Sequence, residues 1–136
     1  MASCDNAHAV HPNHPEFSDK NHAVYMNRGI VIKYNANQRY TSDAVSTALF
    51  RLICEKAGAA CQLYANRADM AGGSTLGNIA NTQVSLNTVD IGLAQLAMHS
   101  SFETAGAKDV ETLVKALTAF YETALKMESD GSYVLS

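Results

Sequence analysis

Short apolar runs alternate with segments of helical periodicity along most of the chain. Runs rich in β-branched or apolar residues, bounded by glycine or polar residues, are typical of strands. They predict strands at Gly29–Tyr34, Cys61–Ala65 and Thr88–Gly92, and Ala2–Cys4 indicates the end of another strand. The polar segment from His11 to Arg28 holds both prolines and predicts an excursion between strands.

Three helical segments separate or follow these strands. Ser42 or Asp43 can cap the first helix, and Gly58 stands where its C-terminal cap belongs. Its apolar positions follow helical spacing: Val45, Leu49, Leu52 and Ile53. The glycine turn Gly72–Thr75 leads into a short second helix that ends at about Val84.

The third helix has the clearest apolar periodicity, and we interpret it as a packing helix without chemistry. Apolar residues recur at helical spacing: Val110, Leu113, Val114, Leu117, Phe120, Tyr121 and Leu125. Asp109 is placed to cap this helix. Beyond Met127 the tail is polar, and we expect it to fray.

The order of these elements predicts the fold class. Strands that alternate with helices favour an α/β fold, a mixed sheet with helices packed on its faces. The chain has 136 residues, of which 47% are hydrophobic and 17% charged, so residues 1–136 are expected to form a single unit with one core.

Charge and hydropathy exclude several function classes. The net charge of -3 with scattered basic residues argues against nucleic-acid binding. No apolar run is long enough for a membrane span, and no signal peptide precedes the first strand, so we expect a cytoplasmic protein. Cys4, Cys54 and Cys61 are irregularly spaced, which predicts three free and buried thiols.

Candidate metal ligands lie at two distant points of the chain. Asp5 directly follows one predicted strand, and His99 follows a short loop after another. Strand ends meet at a sheet edge, so the two side chains could share a metal site. The alternative stays open that Asp5 is a turn former and that His99 is a structural histidine.

The remaining polar motifs have simpler interpretations. The prolyl segment His11–Pro15 rarely suits a tetrahedral zinc site, and we expect His14 and His22 on the surface. Gly72–Gly77 lacks the lysine of a phosphate-binding loop and indicates close backbone packing near a site.

Four motifs in order resemble those of the aspartyl aminopeptidases, exopeptidases with two zinc ions. The motifs are Asp5–Asn13, Gly29–Lys33 with Gln38–Tyr40, Asn66–Gly77, and Asp90–Gly92 through Ala97–Ser100. The resemblance runs from about Ser3 to Tyr121 and covers only the C-terminal part of that family's catalytic domain.

The resemblance implies roles for five residues. Asp5 would be a terminal ligand of one zinc ion and would lie at the substrate, while His99 would be a terminal ligand of the other ion. His8 would donate a hydrogen bond to the reacting carbonyl, and Lys33 and Tyr40 would contact the substrate. A lysine in the pocket gives a reason to prefer a peptide with an acidic N-terminal residue.

The chain also departs from the family pattern. It lacks the upstream histidine ligand, the bridging aspartate, the Glu-Glu pair that supplies the general base, and the inserted association domain. No catalytic residue is therefore assigned in this chain. We expect a truncated or split enzyme, inactive alone, that forms a homo-oligomer or pairs with the missing upstream half through exposed edges.

Two other functions stay open at this point. The chain could be a catalytically silent structural or assembly domain. A histidine-rich metal buffer is less favoured, because the histidines lie within ordered motifs and not in a repeat tract.

Overall fold

A computed structural model describes all residues from Met1 to Ser136, and its core is a four-stranded mixed sheet. The strands are β1 (Ala2–Cys4), β2 (Ala7–His8), β3 (Ile30–Tyr34), β4 (Cys61–Ala65), β5 (Val89–Gly92), β6 (Ala94–Leu96), β7 (Thr104–Ala105), β8 (Leu125–Met127) and β9 (Tyr133–Leu135). The α-helices are α1 (Ala44–Lys56), α2 (Leu76–Gln83) and α3 (Ala107–Glu122). The main sheet has the order β1-β5-β3-β4, with β3 antiparallel to β5 and the other pairs parallel.

Side-chain alternation along β3 builds a different layer on each face of the sheet. Ile30 and Ile32 pack with Phe50 of α1 and Ala116 of α3 in the larger core cluster. Val31 packs on the other face, in a second cluster with residues of β2, β6 and the loops. The predicted α/β class with a mixed sheet is confirmed, and both longer helices lie on the same face.

The predicted elements are confirmed with small shifts at their ends, except at the C-terminus. Residues 125–127 and 133–135 form an antiparallel hairpin, so the prediction of a frayed tail was wrong. Gly131 supplies the turn of the hairpin with φ +85°, and Lys56 at the end of α1 donates a hydrogen bond to the Leu135 carbonyl.

Two helix predictions need correction. Val45 and Leu52 of α1 are 41% and 49% exposed, and the core side of the helix is formed by Phe50, Ile53 and Cys54. Ser46 and Thr47 are buried on that side as well, so the apolar pattern misplaced the buried face.

Asp109 was wrongly predicted as a cap, because the N-cap of α3 is Gly106. The Asp109 carboxylate is fully buried and accepts hydrogen bonds from the backbone amides of Asn27 (2.6 Å) and Gly29 (2.8 Å). It thereby fixes the end of the loop that enters β3.

Two smaller observations complete the fold. All three cysteines are free as predicted, but only Cys54 is buried, whereas Cys61 is partly exposed and Cys4 exposed. None of the helices has the length and apolar character that crossing a bilayer requires.

Candidate functional site

A second small sheet carries the first motif of the chain. After β1 the backbone stays paired to the segment that follows β5: the amides of Asp5 and Ala7 donate to the carbonyls of Ile91 and Leu93 at 2.8 and 2.9 Å. Strand β2 then pairs with β6 in parallel, with His8 opposite Gln95. Close approach depends on Gly92, because a Cβ atom there would overlap the Asp5 carbonyl.

The parallel pairing brings the sequence-predicted residues to one end of the main sheet. Asp5, His8, Lys33 and Tyr40 line one small cavity of about 70 Å³. The rest of its lining comes from the neighbouring loops: Asn6, Ala7, Asn66, Ala71, Gly73, Ser74 and Met98. Four residues that are up to 35 positions apart therefore face one space.

His99 lies beside this cavity and does not line it. Its neighbour Met98 is in the wall, and the His99 imidazole is close enough to that of His8 to contribute to lowering the His8 pKa. The His99 backbone has φ +67°, a left-handed conformation that is uncommon for a histidine, and its amide donates to the Glu103 carboxylate at 2.6 Å. Left-handed residues are concentrated at functional sites.

Lys33 is the buried cation of the cavity. Only 1% of its side chain is exposed, and its ammonium lies 3.5 Å from Asp5 Oδ2 and donates to the Asn6 carbonyl at 3.3 Å. The Tyr40 ring lies beneath it, with 4.8 Å between Nζ and the ring centroid. Burial lowers the pKa of Lys33, although the charges of Asp5 and Asp90 act in the opposite direction.

The surroundings of Tyr40 and His8 favour the neutral form of each side chain. Burial, followed by the proximity of Tyr64, raises the pKa of Tyr40 to about 12. Partial desolvation of His8 lowers its pKa, as do the nearby His99 and Lys33. A neutral imidazole and a phenol can each donate one hydrogen bond to an oxygen of a ligand.

Sequence reasoning gave no role to three residues that shape the site. The Asn6 amide bonds Gln95 Oε1 at 2.7 Å and accepts from the Leu93 amide at 3.0 Å, which joins β2 to β6. Asn66 lines the cavity and donates to the Tyr64 hydroxyl at 3.2 Å. An asparagine within a motif was the only signal available for either.

Asp90 is the third missed residue. It is fully buried in β5, and its Oδ2 accepts from the Thr41 amide at 2.6 Å and the Thr41 hydroxyl at 2.7 Å. These bonds anchor the loop that carries Tyr40. An aspartate between the apolar residues of a strand needs buried partners, and this signal could have identified it.

The glycine loop packs closely against the site, as its sequence indicated. A Cβ at Gly72 would lie 3.1 Å from the Asn35 amide, and one at Gly77 would lie 2.8 Å from the Thr41 hydroxyl. Gly73, in contrast, has nothing within 4 Å of its Cβ position. A side chain would therefore meet neighbouring atoms at Gly72 and Gly77, whereas Gly73 has space for one.

The candidate ligands in this chain are of types that bind zinc, but they are too few to complete a zinc site. Carboxylate and imidazole are common zinc ligands, and the Asp5 side chain is 56% exposed, which leaves an oxygen open beside Lys33. No group of three or more histidine, cysteine, aspartate or glutamate side chains comes together to hold a metal. A catalytic zinc site usually takes three protein ligands, so these residues fit as part of a site only.

The sequence of this chain is similar to those of known aminopeptidases. The sequence model of the family described as aminopeptidase I zinc metalloprotease (M18) matches residues 1–121. The chain is 48% identical over 123 residues to a probable M18 family aminopeptidase 2 of Ectopseudomonas mendocina, covering 90% of this chain and 29% of that protein.

Solved structures show the same likeness. A chain of the Ape4–Nbr1 complex is 36% identical with a TM-score of 0.87, over 89% of this chain and 23% of its own. The mApe1 dodecamer of S. cerevisiae is 33% identical with a TM-score of 0.78, over 89% of this chain and 26% of its own. The chain thus spans less than a third of the length of the proteins that it matches.

Proposed function

Because the chain belongs to the aminopeptidase I zinc metalloprotease (M18) family, we propose that it supplies one ligand to each of two zinc ions, Asp5 to one and His99 to the other. The observation that carries this proposal is the register of β2 on β6, which brings the segments around Asp5 and His99 to the same end of the sheet. By this proposal the chain is the C-terminal part of a catalytic domain, and the remaining ligands come from sequence that it does not contain.

The zinc ions would acidify a water molecule and polarise the scissile carbonyl of a peptide. The chain's own residues bind and orient the substrate. His8 would donate a hydrogen bond to the carbonyl oxygen, since the neutral imidazole favoured by its surroundings still carries one N–H. Tyr40 supports the Lys33 ammonium from below and keeps water away from it.

The substrate class in this proposal is a peptide with an N-terminal aspartate or glutamate. Lys33 is a buried cation, and the one carboxylate in direct contact with it, Asp5, lies at a long distance of 3.5 Å and is itself half exposed. A substrate carboxylate would therefore gain a charge-assisted hydrogen bond with a donor that water reaches poorly. The small cavity suits a short acidic side chain better than a large apolar one.

By itself the chain should hydrolyse peptides little or not at all. It brings no three metal ligands together, and we assign no general base among its carboxylates. Weak zinc binding and no activated water follow from this donor set.

We also propose that the chain associates with copies of itself or with the upstream part of the enzyme. Several apolar side chains are largely exposed: Leu76 (73%), Ile79 (63%), Val114 (60%) and Tyr121 (82%). Leu76 and Ile79 lie on α2, Val114 and Tyr121 lie on α3, and one of the matched relatives is a dodecamer. Light scattering should show a species larger than a monomer, and a strictly monomeric chain at all concentrations would contradict this part.

The test of function is a chimera in which this chain replaces the matching segment of the Ectopseudomonas mendocina relative. With zinc present, the chimera should release aspartate from an aspartyl anilide faster than leucine from the leucyl anilide. Asp5→Asn and His99→Gln should each abolish most activity, whereas Asp130→Asn and His22→Gln, at the surface, should leave it unchanged.

Lys33→Met separates specificity from chemistry in the same assay. It should lower the aspartyl-to-leucyl ratio of kcat/KM by about tenfold or more, the value of one charge-assisted hydrogen bond. Lys20→Met at the exposed surface is the matched control. A chimera that folds and binds zinc but releases neither residue would indicate a silent assembly domain.

A further inference from the structure

The Asn78 side chain joins two walls of the candidate site that come from different parts of the chain. Its amide nitrogen donates to the backbone carbonyls of Gln38 and Arg39 at 3.3 and 2.5 Å, and to the Ser74 hydroxyl at 3.1 Å. The two carbonyls belong to the residues directly before Tyr40, and Ser74 lines the same cavity as Tyr40. One side chain therefore connects the glycine loop to the loop that carries Tyr40.

Helix α2, which carries Asn78, is fixed to the main sheet. The Gly77 amide, in the first turn of this helix, donates to the Ser3 hydroxyl of β1 at 3.1 Å. A Cβ atom at Gly77 would lie 2.8 Å from the Thr41 hydroxyl, so there is no space for a side chain between the helix and the loop. The helix is thus a fixed element to which Asn78 attaches the loop.

The residues after Tyr40 have a second attachment, to Asp90. The Asp90 carboxylate accepts from the Thr41 amide and hydroxyl, and the Asp90 backbone amide donates to the Ser42 hydroxyl at 2.8 Å. Tyr40 lies between the two attachments, because Asn78 holds the residues before it and Asp90 holds the residues after it. The Tyr40 ring therefore keeps its place only while both attachments are closed.

The two attachments differ in burial. Asp90 is fully buried in β5, whereas the hydrogen bonds from Asn78 to the loop carbonyls are exposed to solvent. Water replaces the lost partner when an exposed hydrogen bond is removed, so the fold loses little free energy. Substitution of Asn78 therefore tests the position of the loop without removing a buried charge from the core.

The place of the Tyr40 ring determines the surroundings of the buried cation. The ring lies 4.8 Å from Lys33 Nζ, Tyr40 is 9% exposed, and the cavity that both residues line measures about 70 Å³. If the loop moved outward, the cavity would widen and water would reach the ammonium. A charge interaction weakens as water enters, so an acidic side chain would bind less tightly.

We propose that Asn78 is a positioning residue that determines specificity: it holds the Tyr40 ring beneath Lys33 and keeps the cavity small enough to select an acidic side chain. The choice of substrate in this inference rests on the proposed function, whereas the position of the ring does not. Asn78 belongs neither to the cavity lining nor to the proposed zinc ligands. It should therefore act on substrate binding and not on the chemical step.

The position of the ring is tested by nuclear magnetic resonance on the metal-free 136-residue chain. An aromatic ring beneath the ammonium shifts the Lys33 ε-methylene protons upfield. Asn78→Ala removes the donor and Asn78→Asp replaces it with an acceptor of the same shape, so both variants should lose most of this shift. Gln83→Ala, at an exposed position of the same helix, should keep it, and circular dichroism checks each fold. An unchanged shift in both Asn78 variants would overturn the proposal.

Specificity is tested in the zinc-loaded chimera with Asn78→Ala, which adds no charge near the substrate. KM for the aspartyl anilide should rise about three- to tenfold with kcat unchanged, and KM for the leucyl anilide should not rise. Gln83→Ala should leave all these constants as they are. Unchanged constants in Asn78→Ala, or a fall in kcat at constant KM, would overturn the proposal while the proposed function stands. An unsubstituted chimera inactive toward both anilides would overturn the proposed function and the acidic preference together, and the Lys33 proton shift would still decide whether Asn78 holds the ring.

Discussion

The Lys33 ammonium lies 3.5 Å from the Asp5 carboxylate, and 1% of the Lys33 side chain is exposed against 56% of Asp5. A buried cation is thus paired with a carboxylate that water still reaches. The pair is neither a closed internal salt bridge nor a loose surface pair, and it leaves positive charge directed into the cavity. This asymmetry links folding stability to substrate preference.

Lys33→Met should make the chain more stable. Burial of the ammonium disfavours its charged form, as the lowered pKa of Lys33 shows, and its partners do not compensate fully. Replacing a buried charge with an apolar side chain of similar length should raise the free energy of unfolding by about 1 kcal/mol, measured by urea denaturation. Lys20→Met is the surface control, and a Lys33→Met variant less stable than wild type would contradict the argument.

Asp109→Ala should destabilise the fold strongly. The variant leaves the Asn27 and Gly29 amides without their acceptor next to β3, at a cost of about 2 to 4 kcal/mol for one partly buried and one buried donor. Glu111→Ala on the same helix removes only an exposed pair with Lys115 and should cost less than about 0.5 kcal/mol. Equal effects in the two variants would show that Asp109 does not fix the loop.

Gly92→Ala should disrupt the site more than the core. A Cβ atom there would overlap the Asp5 carbonyl, so the segment from Asp5 to β2 must move away from β5. We expect a loss of about 2 kcal/mol or more in the free energy of unfolding and faster amide exchange at Ala7. Gly73→Ala, which has open space around its Cβ, should be neutral in both measurements.

The metal-free chain should lose stability in mild acid because of His8. Its folded-state pKa is lowered from 6.5, mainly by desolvation, so the unfolded chain binds more protons and stability falls as pH drops below about 6.5. His8→Gln should weaken this dependence between pH 7.5 and 5.5. Nuclear magnetic resonance should place the His8 titration midpoint below 6.5, and a midpoint at or above that value would refute the prediction.

Strands and helices were predictable where a local sequence pattern, such as a β-branched run or a capping residue, was sufficient to specify the element. The β-branched run at Ile30–Tyr34 and the Asp43 cap of α1 both appear in the structure where the sequence indicated. The hairpin at Leu125–Leu135 was missed because its two strands are short and lie in a polar segment, so local polarity does not reveal that they pair with each other. Two-residue strands such as β2 carry no periodicity at all.

The sequence motifs predicted which residues belong to the site but not how the fold brings them together. Asp5, His8, Lys33 and Tyr40 were named from a resemblance, and their shared cavity depends on the register of β2 on β6, which no local pattern contains. For Asp109 the local pattern was misleading. Its position at the start of a helix favoured a cap, whereas its carboxylate accepts hydrogen bonds from two amides of a distant loop.

The most direct test of the central claim is a crystal structure of the zinc-loaded chimera, with anomalous diffraction recorded at the zinc edge. We predict two zinc peaks about 3.5 to 4 Å apart, with an Asp5 oxygen and a His99 nitrogen each at about 2.0 to 2.2 Å from a different ion. Zinc bound with both Asp5 and His99 outside coordination distance would contradict the account.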